Sequence, residues 1–167
     1  MHVEHPCILD IEASGFGPFS YPIEVGIVMS SGEKYCSLIL PSPDWTYWDK
    51  EAEEVHHVSR EILEEHGKPM ADVANQLNKH LAGQTIYSDG WVVDQPWLTS
   101  LFYAANISQQ FRLSALEMIL SEDQMHVWHD TRDIVTRELG LTRHRASTDA
   151  VIIQQTYIRT HTNTNGT

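Results

Sequence analysis

Hydrophobic residues in the first part of the chain form short runs separated by turn residues, the pattern of β-strands rather than helices. Ser31-Gly32 joins the second run to the third and favours a hairpin turn. The first run is apolar except for two acidic residues, which is typical of a central strand covered on both faces. We therefore predict a three-stranded meander at the N-terminus, with strands at 6–12, 23–30 and 34–40.

Beyond residue 50 the apolar spacing becomes that of helices, with single strands between them. Ser121, three residues before Gln124, forms a capping-box pattern, and Gly140 marks the end of the same helix. This order predicts an α/β fold with a mixed five-stranded sheet and helices packed on it. We expect one domain over 1–160 and a disordered tail over 161–167. The predicted elements are helices at 50–78 (broken near Gly67), 94–106 (with Asp94 as N-cap), 121–139 and 146–159, and strands at 84–89 and 111–120.

The composition is that of a globular protein, with 167 residues of which 41% are hydrophobic. No run of about eighteen apolar residues occurs, so no membrane span is expected. The N-terminal residues read as the lead-in to a strand and not as a signal peptide. Cys7 and Cys36 lie in strand-like runs, which favours buried free thiols in a reducing cytoplasm. A disulfide between them would require the two strands to be neighbours.

The formal net charge of −12 constrains the partners of the protein. Eleven Lys and Arg stand against twenty-three Asp and Glu, whereas proteins that grip long duplexes by their phosphates present a basic face. Carboxylates that hold divalent cations would neutralise part of the excess. A short single strand, or a strand terminus, fits this charge better than a long duplex.

Two carboxylates in the first predicted strand are candidates for a metal site. Asp10 and Glu12 are two residues apart, so both side chains point to one face of the strand. Like charges on a buried face repel each other and are costly unless a cation lies between them. The alternative is that both residues lie beyond the strand end in solvent.

Three further residues complete a candidate constellation. Asp94 follows the fourth predicted strand and begins a helix, where it could face the end of the first strand or serve only as a helix cap. His144 lies on a loop before the last helix, and Asp149 lies in the first turn of that helix. Their alternatives are a solvent-exposed histidine and an aspartate favoured by the helix dipole. Four carboxylates and one imidazole suggest a site that combines two hard cations with a general base. Such a site would cleave a phosphodiester.

In this order the residues resemble the motifs of the DEDDh 3'-to-5' exonucleases. ILDIEASGF is similar to the first motif, with Ala13, Ser14, Gly15 and Phe16 after the acidic pair, and HRASTD matches the third motif, His-x-Ala-x-x-Asp. VHHVS at 55–59 is similar to a segment that often follows the third strand in this family. The second motif departs from the family pattern, because Asp89-Gly90 stands where His-Asn is usual. Asp94 keeps the apolar-Asp-x-x-apolar context and is preferred, with Asp89 as its rival.

The resemblance implies a ribonuclease-H-like fold and a two-metal mechanism. Asp10 would bridge both cations, Glu12 and Asp149 would complete one site, and Asp94 would act directly or through water. The cations would be Mg²⁺ or Mn²⁺, as oxygen ligands favour, and His144 would take the proton from the attacking water. The substrate-binding residues implied are Ala13 and Ser14 by their backbone, Phe16 by stacking on or wedging beside the terminal base, and His57 from VHHVS. Ordinary core packing is the alternative for Phe16.

The predicted function is a cytoplasmic, metal-dependent 3'-to-5' exonuclease that acts on 3' ends of single-stranded or short DNA or RNA. Relatives of this size are often dimers, so a homodimer is compatible with the resemblance. One alternative is a catalytically weak nucleic-acid-binding or scaffold module on the same fold. Another is a zinc hydrolase built on His126 and His129, which share a predicted helix with Asp130 and Asp133. Arg143 and Arg145 could meet phosphate, and Trp91 and Trp97 could line the substrate cleft.

Overall fold

The computed structural model describes residues 5–165 and has the predicted α/β architecture, with five strands and six helices. Among these residues, no helix combines the length and the apolar character needed to span a membrane. A single 3-10 turn, Leu116–Met118, follows the last strand. The elements in chain order are β1 Ile8–Ala13, β2 Pro22–Val28, β3 Lys34–Leu38, α1 Lys50–His56, α2 Arg60–His66, α3 Met70–Leu81, β4 Thr85–Ser88, α4 Trp91–Ala105, β5 Arg112–Ala115, α5 Glu122–Leu139 and α6 Ala146–Asn165.

The sheet has the strand order β3-β2-β1-β4-β5. β1, β2 and β3 pair antiparallel as the predicted meander, whereas β4 pairs parallel with β1 and β5 pairs parallel with β4. The predicted mixed sheet with a central first strand is therefore confirmed. In the register of β1 and β2, Asp10 lies opposite Gly26 and Glu12 lies opposite Glu24.

Alternate residues of the central strands face two separate layers of helices. Leu9 and Ile11 of β1 belong to the larger core cluster, which includes residues of α3 and α4. Ile8 belongs to the second cluster, with Trp128 of α5 and Ile153 of α6. Because side chains alternate along a strand, Asp10 and Glu12 lie on the face that α6 covers. The first turn of α6 is thereby brought to the two carboxylates.

Gly26 lets the beginning of α6 come into direct contact with the sheet. A Cβ atom at this position would lie 2.3 Å from the Ala146 carbonyl carbon and 2.4 Å from the Ser147 nitrogen. A glycine inside a strand often marks such a close approach of another backbone segment. Since Gly26 lies opposite Asp10, this contact sets the distance between the first turn of α6 and β1.

We expect Gly26→Ala to lower the free energy of unfolding by at least about 1–3 kcal/mol, because the added methyl group has no space without moving α6. The displacement should also weaken divalent-metal binding by moving Asp149. Thermal unfolding with and without Mn²⁺ measures both effects. Gly32→Asn is the matched control, because a Cβ there has nothing within 4 Å and asparagine tolerates the positive φ of 84°. Equal melting temperatures for the two variants would contradict the contact.

Several predicted boundaries differ from the structure for local reasons. The helical region 50–78 is broken a second time, where His57 adopts a left-handed conformation with φ of 58° and Ser59 caps α2. Asp94 is not an N-cap, since α4 begins at Trp91 and Gly90 occupies the cap position. Asp94 lies inside that first turn, where its side chain is buried, and it does not cap the helix. The predicted fifth strand, 111–120, ends early at Ala115.

The chain end and the cysteines also differ from expectation. α6 continues to Asn165, so 161–165 of the predicted disordered tail are helical, while residues 166–167 and 1–4 lie outside the described residues. In this part of the helix, Thr162 Oγ1 donates to the Ile158 carbonyl. Cys7 is buried as predicted, but Cys36 is exposed because β3 is an edge strand. Both are free thiols, and β2 separates their strands.

Candidate active site

Three of the predicted carboxylates converge at the carboxyl end of the central strand. Asp10, Glu12 and Asp149 each offer an oxygen, and these oxygens all lie within 4.8 Å of one another. Within residues 5–165 no other three His, Cys, Asp or Glu side chains meet this closely. The strand supplies two of them on one face, and the first turn of α6 supplies the third across the Gly26 contact.

Asp94 approaches the same carboxylates from the other layer of helices. It is 3% exposed, and its Oδ2 accepts a hydrogen bond of 2.5 Å from the Ser88 hydroxyl at the end of β4. Since β4 is the parallel neighbour of β1, the chain enters α4 beside the β1 carboxylates. Asp94 lines the cleft over them, and Asp89 does not. Asp89 lies close to the charges of Arg132 and Asp149.

The crowding of acidic groups raises the pKa values of this cluster. Burial, followed by the negative charges of Asp94 and Glu12, raises the pKa of Asp10 well above its ordinary value. Burial and then the charge of Asp149 raise the pKa of Glu12 to about 8. Burial raises the pKa of Asp94 to about 7 against the opposing hydrogen bond from Ser88. A divalent cation would reverse these shifts, because it attracts the charged form of every member.

An unpaired oxygen supports the same interpretation. Asp10 Oδ2 is buried and has no hydrogen-bond partner among the described residues. A buried polar atom without a partner costs about 1–3 kcal/mol, so native proteins rarely leave one without a reason. The oxygen-only donor set formed by Asp10, Glu12, Asp94 and Asp149 suits Mg²⁺ or Mn²⁺ better than zinc. The residues present therefore fit a divalent-cation site.

The raised pKa values predict an unusual pH dependence of stability without metal. The unfolded chain releases the protons of Glu12 and Asp94 near their ordinary pKa values of 4.5 and 3.8, whereas the folded protein keeps them until about 8 and 7. Between these limits the folded state binds more protons than the unfolded state, so this contribution to stability falls as pH rises. We expect the melting temperature in EDTA to fall from about pH 5 to pH 8.

Saturating Mn²⁺ should flatten or reverse that fall, because the bound cation stabilises the deprotonated carboxylates. Glu12→Gln is the control variant, since it removes one of the carboxyl groups with a raised pKa and should reduce the slope in EDTA. Melting curves at several pH values, with and without Mn²⁺, measure the effect. Stability that rises steadily with pH in EDTA would contradict the assigned shifts.

The segment 143–149 is held in place by Glu24, which is buried in β2 opposite Glu12. Glu24 Oε2 accepts hydrogen bonds from Arg145 Nε (2.9 Å) and Nη2 (2.6 Å), and Oε1 accepts one from the Ala146 backbone nitrogen (2.6 Å). The carboxylate thus satisfies the first amide of α6 and favours its positive dipole end. Arg145, predicted as a phosphate contact, is instead bound to Glu24.

His144 projects from this segment over the cleft. Its φ of 67° is left-handed, and its backbone nitrogen donates to Asp149 Oδ2 at 3.0 Å. Arg143 Nε lies 3.5 Å from Asp149 Oδ1. Asp149 therefore accepts a hydrogen bond from the backbone of His144, the predicted base, and also belongs to the carboxylate cluster. The His144 side chain is exposed and lines the cleft, as a proton acceptor for a bound reactant requires.

The cleft above the carboxylates has a volume of about 470 Å³. Phe16 is 70% exposed at its edge, with its ring centroid 6.2 Å from that of Trp97. Ala13 also lines the cleft, and so does His56, whose pKa burial lowers. The structure thus brings together the acidic residues, His144, Ala13, Phe16 and Trp97 in one cavity.

Some predicted residues lie elsewhere. The Ser14 side chain does not line the cleft, because it is fully buried and its Oγ accepts from the Tyr21 backbone nitrogen, while the backbone contact expected of Ser14 stays a prediction. His57 is exposed on a separate shallow pocket, and the adjacent His56 takes the place in the cleft that VHHVS predicts. Trp91 is not part of the cleft lining. His126 and His129 are exposed on α5 and form no close group of three metal-ligating residues among the described ones.

Three positioning residues were missed in the sequence. Glu24 is an acidic residue within an apolar strand, a signal that a buried partner exists. Gly26 is a glycine in a strand interior, a signal of close backbone approach. Ser88, which donates to Asp94, gives no sequence signal that distinguishes it from any other strand-end serine.

No protein-family model and no curated protein matches the chain, whereas solved structures do. The match to E. coli Exonuclease I in complex with a dA16 oligonucleotide covers 95% of this chain and 41% of the E. coli chain, at 13% identity and a TM-score of 0.68. The zinc-ion-bound form of the E. coli enzyme with single-stranded DNA matches 97% and 42%, at 14% identity and a TM-score of 0.67. Exonuclease I from Methylocaldum szegediense matches 92% and 40%, at 12% identity and a TM-score of 0.65.

The chain spans about two fifths of the length of these neighbours. Their sequence identity is low, so the likeness concerns the arrangement of strands and helices. That arrangement agrees with the sheet order and with the two helical layers described above. The chain has the α/β, ribonuclease-H-like fold of the exonucleases.

Proposed function

We propose that this protein is a divalent-metal-dependent 3'-to-5' exonuclease that releases nucleoside 5'-monophosphates from single-stranded or short nucleic acid. The observation that carries the proposal is the group of carboxylates Asp10, Glu12 and Asp149 at the base of a cleft that His144 also lines. The proposed exonuclease domain is 1–160. The likeness of fold to Exonuclease I supports an exonuclease, and the resemblance of ILDIEASGF and HRASTD to the first and third motifs supports the direction of cleavage.

Asp10, Glu12, Asp94 and Asp149 would hold two cations, Mg²⁺ or Mn²⁺, by their carboxylate oxygens. When bound, the cations would neutralise charge on the reacting phosphate and favour deprotonation of the attacking water. The buried, unpaired Oδ2 of Asp10 supports a central place for that residue among the ligands.

His144 would accept the proton of the water that attacks the terminal phosphodiester. The new bond joins the water oxygen to phosphorus, and the bond from phosphorus to the 3' oxygen of the preceding nucleotide breaks. The terminal nucleotide leaves with a 5'-phosphate, and the shortened strand keeps a 3'-hydroxyl. The backbone hydrogen bond from His144 to Asp149 supports this role, because it holds the base beside the carboxylate cluster.

The proposed substrate is a single strand. The two E. coli neighbours were solved with a dA16 oligonucleotide and with single-stranded DNA. The net charge of −12 makes binding of a long duplex unfavourable, and the exposed ring of Phe16 at the cleft edge suits stacking on an unpaired terminal base. A cytoplasmic location and a homodimer stay predictions, the former supported by two free cysteines.

The deciding experiment uses 5'-labelled single-stranded DNA and RNA oligonucleotides with Mg²⁺, Mn²⁺ or Zn²⁺, beside an EDTA control. We expect a ladder that shortens from the 3' end, and the preferred sugar follows from the comparison. Shortening of a 3'-labelled strand from its 5' end would overturn the direction. No cleavage with calorimetrically confirmed metal binding would favour the alternative of a catalytically weak binding module.

A further inference from the structure

A second cavity, which we name the aromatic groove, is built from two loops next to the candidate active site. It has a volume of about 460 Å³. One side is the segment Pro18, Phe19, Ser20 and Tyr21, which follows β1. The other side is the segment Asp44, Trp45, Thr46 and Tyr47, which follows β3, and Ser100 of α4 completes the lining. None of these residues belongs to the lining of the catalytic cleft.

The groove presents aromatic surface to solvent on a fixed support. Phe19 is 77% exposed and Tyr47 is 39% exposed. Trp45 stacks on the buried Tyr21, with ring centroids 5.3 Å apart and planes inclined by 22°. Large exposed aromatic side chains that come together on a rigid surface mark a binding site more often than chance.

Hydrogen bonds hold the Phe19 loop in place before any ligand binds. Trp97 Nε1 donates to Ser20 Oγ at 2.9 Å, and Ser20 Oγ donates to the Gly17 carbonyl. The Ser14 nitrogen donates to the Tyr21 carbonyl at 2.9 Å. A loop fixed in this way loses little conformational entropy on binding, which favours affinity.

The groove borders the catalytic cleft at Gly15. This residue lines the cleft, and a Cβ atom there would lie 2.8 Å from Tyr47 Cε1, so the Tyr47 ring stands at the border of the two cavities. Phe16 and Phe19 lie three residues apart on one loop, the first at the cleft and the second at the groove. A ligand that fills both cavities would pass from one aromatic ring to the next.

The charges of the groove define what can bind there. Asp44 is the one charged residue among those that line it. The cation beside the groove, Arg60, donates through Nη1 to the Thr46 carbonyl at 2.9 Å and is not part of the lining. Aromatic faces without a basic residue among them suit uncharged nucleobases whose phosphates remain in solvent.

We infer that the aromatic groove is a base-stacking subsite for the nucleotides that precede the 3' end of a single strand. The inference rests on the proposed function, because the terminal nucleotide must occupy the cleft. An acidic protein gains little from phosphate contacts, and stacking provides affinity that does not depend on sequence.

The test measures binding of a labelled ten-nucleotide single strand and of a dinucleotide by fluorescence anisotropy in Mg²⁺. All proteins carry Asp10→Asn, so that no strand is cleaved during the titration. We expect Phe19→Ala and Tyr47→Ala each to raise the Kd for the ten-nucleotide strand by roughly 5- to 150-fold. The change for the dinucleotide should be much smaller, because it ends before the groove.

Leu139→Ala is the matched control, since it truncates an exposed apolar residue on α5 that lines neither cavity. The Kd should also depend weakly on salt, in contrast to binding through phosphates. An unchanged Kd of both groove variants for the longer strand would overturn the subsite while leaving the proposed function intact. Failure of the Asp10→Asn parent and also of His144→Ala, which keeps the four carboxylates, to bind either strand would instead overturn the nucleic-acid substrate, and the subsite with it.

Discussion

Asp10→Asn is expected to lower turnover on the order of 10³-fold or more while making the metal-free protein more stable. The substitution keeps the shape of the side chain and removes a charge that lies at the centre of four carboxylates. Loss of a shared metal ligand removes several kcal/mol of transition-state stabilisation. Without metal, the same change relieves burial of a carboxylate among like charges, so unfolding should become more difficult.

Single-turnover cleavage of the preferred strand and melting curves in EDTA measure the two effects. Asp89→Asn is the informative comparison, because Asp89 carries the same charge and is the rival of Asp94 in the second motif but does not line the cleft. We expect it to retain much more activity than Asp10→Asn. If Asp89→Asn is as inactive as Asp10→Asn and Asp94→Asn is active, then Asp89 replaces Asp94 in the ligand set. An active Asp10→Asn enzyme would contradict the whole site.

His144→Ala is expected to lower turnover by roughly 10²–10⁴-fold while divalent-metal affinity remains, the usual effect of removing a general base. The side chain is exposed and makes no contact that the fold needs, so the variant should fold normally. The backbone nitrogen that donates to Asp149 is retained in the variant, which keeps the carboxylate cluster in place.

Kinetics at saturating Mn²⁺ separate this role from metal binding. The rise of kcat with pH that a histidine base produces should be lost in His144→Ala, and added imidazole should restore part of the rate. His126→Ala, an exposed histidine on α5 outside the cleft, should match the wild-type protein. Unchanged turnover in His144→Ala would exclude it as the base.

The fold was predictable because hydrophobic burial in it is regular. The apolar run of β1, the hairpin at Gly32 and the capping box at Ser121 each report a local physical requirement, and each has the predicted structure. Errors arose where tertiary contacts overrode local signals. Asp94 has the sequence context of an N-cap, but its burial beside Ser88 draws it into the first turn of α4.

The residue types of the candidate site could be predicted from the sequence. The positions that carry them could be predicted only in part. Motif spacing identified the acidic residues and His144, because their chemistry restricts the residue to few alternatives. It could not tell His56 from His57, since the left-handed backbone at His57 alone decides which ring faces the cleft. The aromatic groove is formed by two loops distant in sequence, so no local pattern predicts it.

The position of α6 has a consequence for biosynthesis. This helix covers one face of β1 and β2, and its first turn provides Asp149, so the core and the site are completed only after the preceding described elements have left the ribosome. A nascent chain that ends before Ala146 has Asp10, Glu12 and Asp94 but neither the third close carboxylate nor the Glu24–Ala146 contact. A protein with the proposed activity would therefore lack its full set of carboxylates until α6 has emerged from the ribosome.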